Sequence, residues 1–472
     1  MAIGLLTAGV NASDENGSFG RDVADTVNGL IAGATPIEAI TLAGLPQTAG
    51  APGGFGDLAT AVNGSSLPVY RQLGPVKIGG GMGDNALFKD RTRQASFLLK
   101  ALPKRVRIHL LNSNTTTGLS GVAASIAPTA NLTSAPLPSG GIGAFVPFVF
   151  ASTTAAAASG AGDNATPSAV KSNWLDVTAL PRDDSGNGYI FMIRCYQDAA
   201  SSGTQMTIGN TTAMTDFALY QVTCHYAQAN GNFITAATSM TANANCQPFF
   251  LEVEYEIPVA SVAIVGDSIM AGANAGPAAT GSNASGAAFK ALKRITEQTG
   301  KRVSLFNSAW GGSSTTGGSG ATIPSPVRGY YGQFLAYLNS GARPTIAAFC
   351  PWSVNNTLAY DAGQVTAVTN ISNQFIAVCA EYGITPYLVT PAPRNGITAG
   401  EENIRRQCVQ AVKTVAAAAD VAVIDRDAVY TNYDSITGGY KLPEWCLDNV
   451  HPTEAGHLVE SGEWQDKLLQ VL

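Results

Sequence analysis

The chain has 472 residues, of which 45% are hydrophobic and only 13% charged, and it carries a net charge of -6 with a pI near 5.3. That length exceeds one ordinary core and implies two or three domains. The charged share is about half the usual one, and the acidic balance offers no basic field for nucleic acid or an anionic membrane, which excludes both as partners.

The first residues, Met1 to Ala8, are apolar without a positively charged start and turn polar from Asn11 to Asn16, unlike a secretory signal. No run reaches the ~18 apolar residues of a membrane helix. The expectation is a soluble chain of unassigned localisation, extracellular and virion-associated settings both being compatible. Residues 1–104 are rich in Gly, Ala, Pro and Thr. Short helices are expected over 23–32 and 90–99, but no fold can be assigned. The cluster Gly79-Gly80-Gly81-Met82-Gly83 is not followed by Gly-Lys-Ser/Thr and reads as a loop. Lys100, Lys104, Arg105 and Arg107 surround the start of a strand containing Val106, Ile108 and Leu110, and read as its solvated face.

Residues 105–257 change character. Short β-branched and aromatic runs at 106–111, 144–151, 189–196, 217–225 and 249–257, divided by turn-rich spacers, predict an antiparallel sandwich or jelly roll serving as an accessory or binding domain. Trp174 and Tyr196 could stack on a sugar ring, with core packing as the default for both. Seven cysteines (195, 224, 246, 350, 379, 408 and 446) are odd in number and never form Cys-x-x-Cys. Structural zinc and a disulfide framework are therefore not indicated.

After Pro258 strands and helices alternate. Strands are expected at 262–265, 303–306, 345–350, 387–390 and 421–424, and helices at 285–299, 327–339, 365–382, 401–418 and 453–469. Such alternation predicts a parallel sheet covered by helices on both faces, with any ligand at the carboxyl ends of the strands.

Four motifs fall at those ends: Gly266-Asp267-Ser268-Ile269, Asn307-Ser308-Ala309-Trp310-Gly311-Gly312, Ser353-Val354-Asn355-Asn356 and Asp448-Asn449-Val450-His451. Gly-Asp-Ser alone reads as a helix cap or turn. A serine nucleophile, however, needs a base, and of the four histidines (109, 225, 451 and 457) two fall in the predicted sandwich and His457 lies inside a helix as a packing or surface residue. His451 precedes Pro452 and sits on a loop, three residues after Asp448. Asp448 can fix the imidazole tautomer while the other ring nitrogen takes the Ser268 proton. Acyl transfer also needs oxyanion donors, for which Gly312 offers a backbone N–H and Asn355 a side-chain amide.

In order and spacing, Ser268, Gly312, Asn355 and Asp448-x-x-His451 resemble the SGNH, or GDSL-type, hydrolase superfamily over roughly 259–472. The second motif is especially similar to that of carbohydrate acetylesterases. The resemblance implies a three-layer α/β/α flavodoxin-like domain over 258–472. It further implies Ser268 as nucleophile and first oxyanion N–H, Gly312 and Asn355 as the other donors, Asp448 and His451 completing the triad, and no metal or organic cofactor. The third motif departs from the pattern, which has Gly-x-Asn-Asp where this chain has Ser353-Val354-Asn355-Asn356. No Gly-x-Ser-x-Gly occurs, against a nucleophile-elbow hydrolase.

Trp310, Trp352 and Trp445 each stand within three residues of a motif residue, suggesting an aromatic-walled cleft for a sugar. The expected partner is thus an acylated small molecule or polysaccharide, and the chain permits an oligomer. Two alternatives stand beside a polysaccharide deacetylase: a lipase-like or polyester-cleaving esterase, and a phage-tail or receptor-binding structural protein carrying a subsidiary esterase domain.

Overall fold

The computed structural model describes residues 70–73, 89–99, 103–112, 116–129, 145–151, 168–178, 180, 189–200, 202, 224–236, 240–242, 249–255, 259–273, 286–309, 312, 314–315, 330–339, 341–356, 359–446 and 448–472. The helix expected over 23–32, the glycine cluster at 79–83 and Trp310 lie outside them.

Two antiparallel sheets form the β-rich part. One runs in the order β1 (Tyr70–Leu73), β11 (Phe250–Tyr255), β3 (Pro103–Asn112) and β6 (Ser168–Lys171), with β7 (Leu175–Asp176) also beside β3. The other runs β10 (Thr241–Ala242), β9 (Cys224–Asn230), β2 (Arg91–Leu99), β8 (Tyr189–Gln197), β4 (Val122–Pro128) and β5 (Val146–Pro147). Both sheets contribute to a single core: Val106, Ile108, Leu110, Leu251 and Val253 from the first meet Ala95, Val122, Ile126 and Ile193 from the second.

The two-residue period of a strand decides what lies on the other face of the first sheet. On β3, Arg105, Arg107, His109 and Leu111 alternate with the core residues, and Leu111 belongs to the core of the following α/β part. β11 places Glu254 opposite Arg105 and Glu252 opposite Arg107. Arg105 pairs with Glu254 at 2.7 Å, while Glu252 takes both the Arg107 guanidinium and His109 Nε2, the latter at 2.8 Å. Arg107 also donates to the Gly341 carbonyl at 3.0 Å, which ties the sheet to the α/β part. The basic cluster expected to be solvated is therefore largely internal: Arg107 is buried and Arg105 half-buried, Lys104 is exposed, and Lys100 lies outside the described residues. Both arginines lie over the ring of Trp174, at 4.9 and 4.4 Å, so that ring is a cation platform within the fold. Tyr196 is buried, its hydroxyl donating to Asp90 at 3.1 Å.

Several boundaries differ from expectation. Residues 91–99 form a strand rather than a helix, because β2 is paired along both edges, with β8 and β9, and ladder partners override the helix-forming residues of Arg-Thr-Arg-Gln-Ala. Strands of the sandwich thus begin at Tyr70, upstream of 105. The strand expected at 217–225 is found at Cys224–Asn230, with 217–223 outside the described residues, and that at 144–151 is reduced to Val146–Pro147.

The α/β part has five parallel strands in the order β13 (Val303–Asn307), β12 (Ala260–Val265), β14 (Ile346–Phe349), β15 (Thr385–Val389) and β16 (Ala422–Ile424). This is the flavodoxin-like order, whose reversal beside the first strand opens a crevice at the carboxyl ends. Seven helices follow the strands among the described residues: α1 (Ser268–Ala271), α2 (Ala287–Thr299), α3 (Tyr330–Asn339), α4 (Gly363–Glu381), α5 (Ala399–Ala418), α6 (Arg426–Tyr430) and α7 (Glu454–Leu468). α2 packs on α7, and α4 on α5; with the right-handed crossovers usual in such sheets, this strand order assigns α2 and α7 to one face and α3, α4 and α5 to the other. Phe349 of β14 stacks on Phe375 of α4 at 4.7 Å within this second layer. α5 begins with a reciprocal cap between Thr398 and Glu401. No helix among the described residues is long and apolar enough to cross a membrane.

Candidate active site

The end of β12 turns directly into the four-residue helix α1. Gly266 permits that turn, because a Cβ there would lie 2.3 Å from Met270 Cγ and 2.7 Å from its Cβ. Asp267 caps the helix, its Oδ1 accepting the Ile269 N–H at 3.0 Å. The cap reading of Gly-Asp-Ser is thus real, and Ser268, itself buried, has its Oγ 2.8 Å from His451 Nε2.

His451 Nδ1 lies 2.6 Å from Asp448 Oδ2. The loop carrying this pair is shaped by Asn449, which adopts a left-handed backbone (φ 70°) that Asn tolerates better than most residues. That bend lets Asp448 Oδ1 accept the N–H groups of Val450 at 3.0 Å and His451 at 2.7 Å. Burial by itself would raise the Asp448 carboxyl, but the backbone and imidazole hydrogen bonds outweigh it and hold the group down at about 2. The loop is braced from outside, Asn395 N donating to the Asn449 carbonyl at 3.0 Å and Tyr440 OH to the Val450 carbonyl at 2.8 Å.

The other two motifs leave the neighbouring strands. Asn307, at the end of β13, is buried, with its amide 3.4 Å from the Ala271 carbonyl of α1. Gly312 is exposed with φ 71°, a backbone that only glycine adopts freely, and apart from its chain neighbours no atom of the described residues lies within 4 Å of where its Cβ would be. Asn355 is half-buried after β14. Ser353, fully buried, donates to Asp267 Oδ2 at 2.6 Å and accepts the Asn355 N–H at 3.1 Å. Asn356 Oδ1 accepts the Thr315 N–H at 3.0 Å, so the loop that holds Gly312 is fastened to the one that holds Asn355.

Beneath α1 lies a buried polar cluster. Arg426 donates to Glu460 at 2.9 Å and contacts Met270 Sδ at 2.8 Å, and Tyr430 and Trp464 each donate to Glu460 at 2.8 Å. His457 is completely buried rather than a surface residue, with Nε2 3.2 Å from the Ala273 carbonyl just after α1. Burial pushes its imidazole down to about 4, so it is neutral at pH 7 and donates to that carbonyl. Neither Arg426 nor Glu460 was legible as part of the site, since ordinary helix residues give no motif.

The tryptophans divide. Trp352 is buried, its indole N–H bound to the Ala359 carbonyl at 3.0 Å and its ring edge-on to Tyr360, so it packs the core and does not line a cleft. Trp445 is half-buried beside the Asp448 loop, edge-on to Tyr430 at 6.1 Å. Cys195, Cys350, Cys379, Cys408 and Cys446 are buried, the last four as free thiols, and burial pushes the Cys446 thiol, close to Asp448, up to about 11.

No protein-family profile matches this chain, and no curated protein does. Among solved structures it is similar to a lipase/acylhydrolase from Enterococcus faecalis, at 18% identity over 44% of this chain and 95% of that one, with a TM-score of 0.31. It is also similar to an acetyl xylan esterase from Geobacillus stearothermophilus, at 13% identity over 44% of this chain and 94% of that one, with a TM-score of 0.31. A family two carbohydrate esterase from Clostridium thermocellum matches at 14% identity over 84% of this chain and 98% of that one, with a TM-score of 0.33.

Proposed function

We propose that the chain is a serine esterase of the SGNH type, acting as an O-acetylesterase on an acetylated carbohydrate. The observation that carries the reaction class is the continuous line from Ser268 Oγ to His451 Nε2 at 2.8 Å and from His451 Nδ1 to Asp448 Oδ2 at 2.6 Å. In this reading His451 takes the Ser268 proton as the hydroxyl oxygen attacks the ester carbonyl. Asp448 stabilises the imidazolium, which then protonates the leaving alcohol. Ser268 N–H, Gly312 N–H and the Asn355 amide receive the oxyanion. Water, deprotonated by the same histidine, attacks the acyl-serine and releases acetate.

The carbohydrate reading is supported by Trp445 beside the Asp448 loop and by the sandwich joined to the α/β part through Arg107 and Gly341. Acetate release from acetylated xylan, pectin, capsule and lipopolysaccharide, compared with hydrolysis of p-nitrophenyl esters of increasing chain length, tests it. Release from at least one acetylated polysaccharide with preference for acetyl is expected. Preference for long acyl chains would replace it by a lipase-like esterase.

A further inference from the structure

The third motif departs from the pattern it resembles by a serine where glycine is usual, and that serine makes the hydrogen bonds that join two parts of the site. Ser353 is fully buried, so its hydroxyl has no bulk water to turn to. Its single proton goes to Asp267 Oδ2 at 2.6 Å, which leaves the oxygen lone pairs to accept the Asn355 N–H at 3.1 Å. The other oxygen of the same Asp267 carboxyl caps α1 through Ile269 N–H at 3.0 Å. One carboxyl therefore holds the start of the helix that carries Ser268, and one hydroxyl relays that anchor to the backbone of Asn355. The direction of both bonds is fixed, because the carboxyl oxygen only accepts here and the backbone N–H only donates.

We infer that Ser353 is a positioning residue that sets the Asn355 amide relative to Ser268 through Asp267. This rests on the esterase reading, in which Asn355 is an oxyanion donor. On its other side Asn355 is followed by Asn356, whose side-chain Oδ1 accepts the Thr315 N–H at 3.0 Å and whose N–H donates to the Ser353 carbonyl at 3.0 Å, and the Ser353 hydroxyl links this turn to Asp267. Donor placement matters in the transition state more than in the ground state, so the effect belongs in kcat.

The test is a double-mutant cycle on the full chain with p-nitrophenyl acetate, using Ser353→Ala, Ser353→Gly, Asn355→Ala and the combined variants. Removing an oxyanion donor outright costs about 10²–10³ in kcat, and a displaced donor is expected to lose about 10–100-fold, with KM within about twofold. In the Asn355→Ala background either Ser353 substitution should cost less than about twofold more, because the group it positions is gone. Wild-type kcat in both single variants would overturn the inference. So would a loss of equal size with and without Asn355, or a loss of cooperative unfolding in both variants, since each makes Ser353 a general structural residue. Ser268→Ala run alongside separates the two levels: if it retains turnover, the esterase reading fails; if it is inactive while Ser353→Ala is unaffected, only the positioning role fails.

Discussion

Asp448→Asn separates the chemistry of the Ser268 site from its folding. The substitution keeps an oxygen to accept the Val450 and His451 N–H groups, now bound to Asp448 Oδ1 at 3.0 and 2.7 Å, so the loop retains its shape. It places an amide N–H, however, where Oδ2 now meets His451 Nδ1 at 2.6 Å. Nδ1 must then accept, which puts the ring proton on Nε2, facing Ser268 Oγ at 2.8 Å, and the imidazole cannot take the serine proton. The expected loss is about 10⁴-fold in kcat, or ~5.5 kcal/mol of transition-state stabilisation. The stability cost is much smaller. The carboxyl is held at about 2 against an ordinary 3.8, a gap worth ~2.4 kcal/mol unscreened, and solvent screening of a side chain that is 43% exposed reduces this to about 1 kcal/mol. Because the folded value is depressed, this contribution is complete above the unfolded value near 3.8 and is lost as the pH falls through about 2. Steady-state hydrolysis of p-nitrophenyl acetate, with urea unfolding at pH 7, measures both quantities. A variant with kcat within tenfold of wild type would refute the tautomer reasoning.

Three further outcomes follow from the supports beneath α1. His457, held at about 4 while an unfolded histidine stays near 6.5, makes the fold lose up to about 3 kcal/mol as the pH falls from about 6.5 to 4; His457→Gln should flatten denaturant-derived stability across that window. Arg426→Met strands the buried Glu460 carboxyl and should cost about 3–5 kcal/mol by urea unfolding, part of it recovered when Glu460→Gln is added. Gly266→Ala forces Met270 and the start of α1 aside and should cost about 1–3 kcal/mol, with kcat lowered through displacement of Ser268; an unchanged kcat would show that α1 absorbs the added methyl.

The parallel sheet was legible because its strands are short apolar runs bounded by turns and its helices carry a clear period. All five strands and the five longer helices fall where the sequence predicts them, within a few residues at the ends. The antiparallel region was harder, since β2 draws its identity from partners about 100 and 130 residues away rather than from its own composition. At the site, the grouping of Ser268, Asp448 and His451 was readable from the motifs, because the chemistry proposed for them admits few residue types. The Asp267–Ser353 and Asn356–Thr315 contacts were not, because two loops meet only after the sheet has formed, and a serine or asparagine in a turn has many local uses. Trp352 shows the converse limit: proximity in sequence to a motif says nothing of which way the ring points, and it points into the core.

The most direct test is reaction of the full chain with a fluorophosphonate, followed by peptide mass spectrometry. A hydroxyl activated by His451 predicts a single adduct on Ser268, abolished together with ester hydrolysis in Ser268→Ala and slowed by orders of magnitude in His451→Ala. An adduct on another residue, or ester hydrolysis that persists in Ser268→Ala, would contradict Ser268 as the nucleophile.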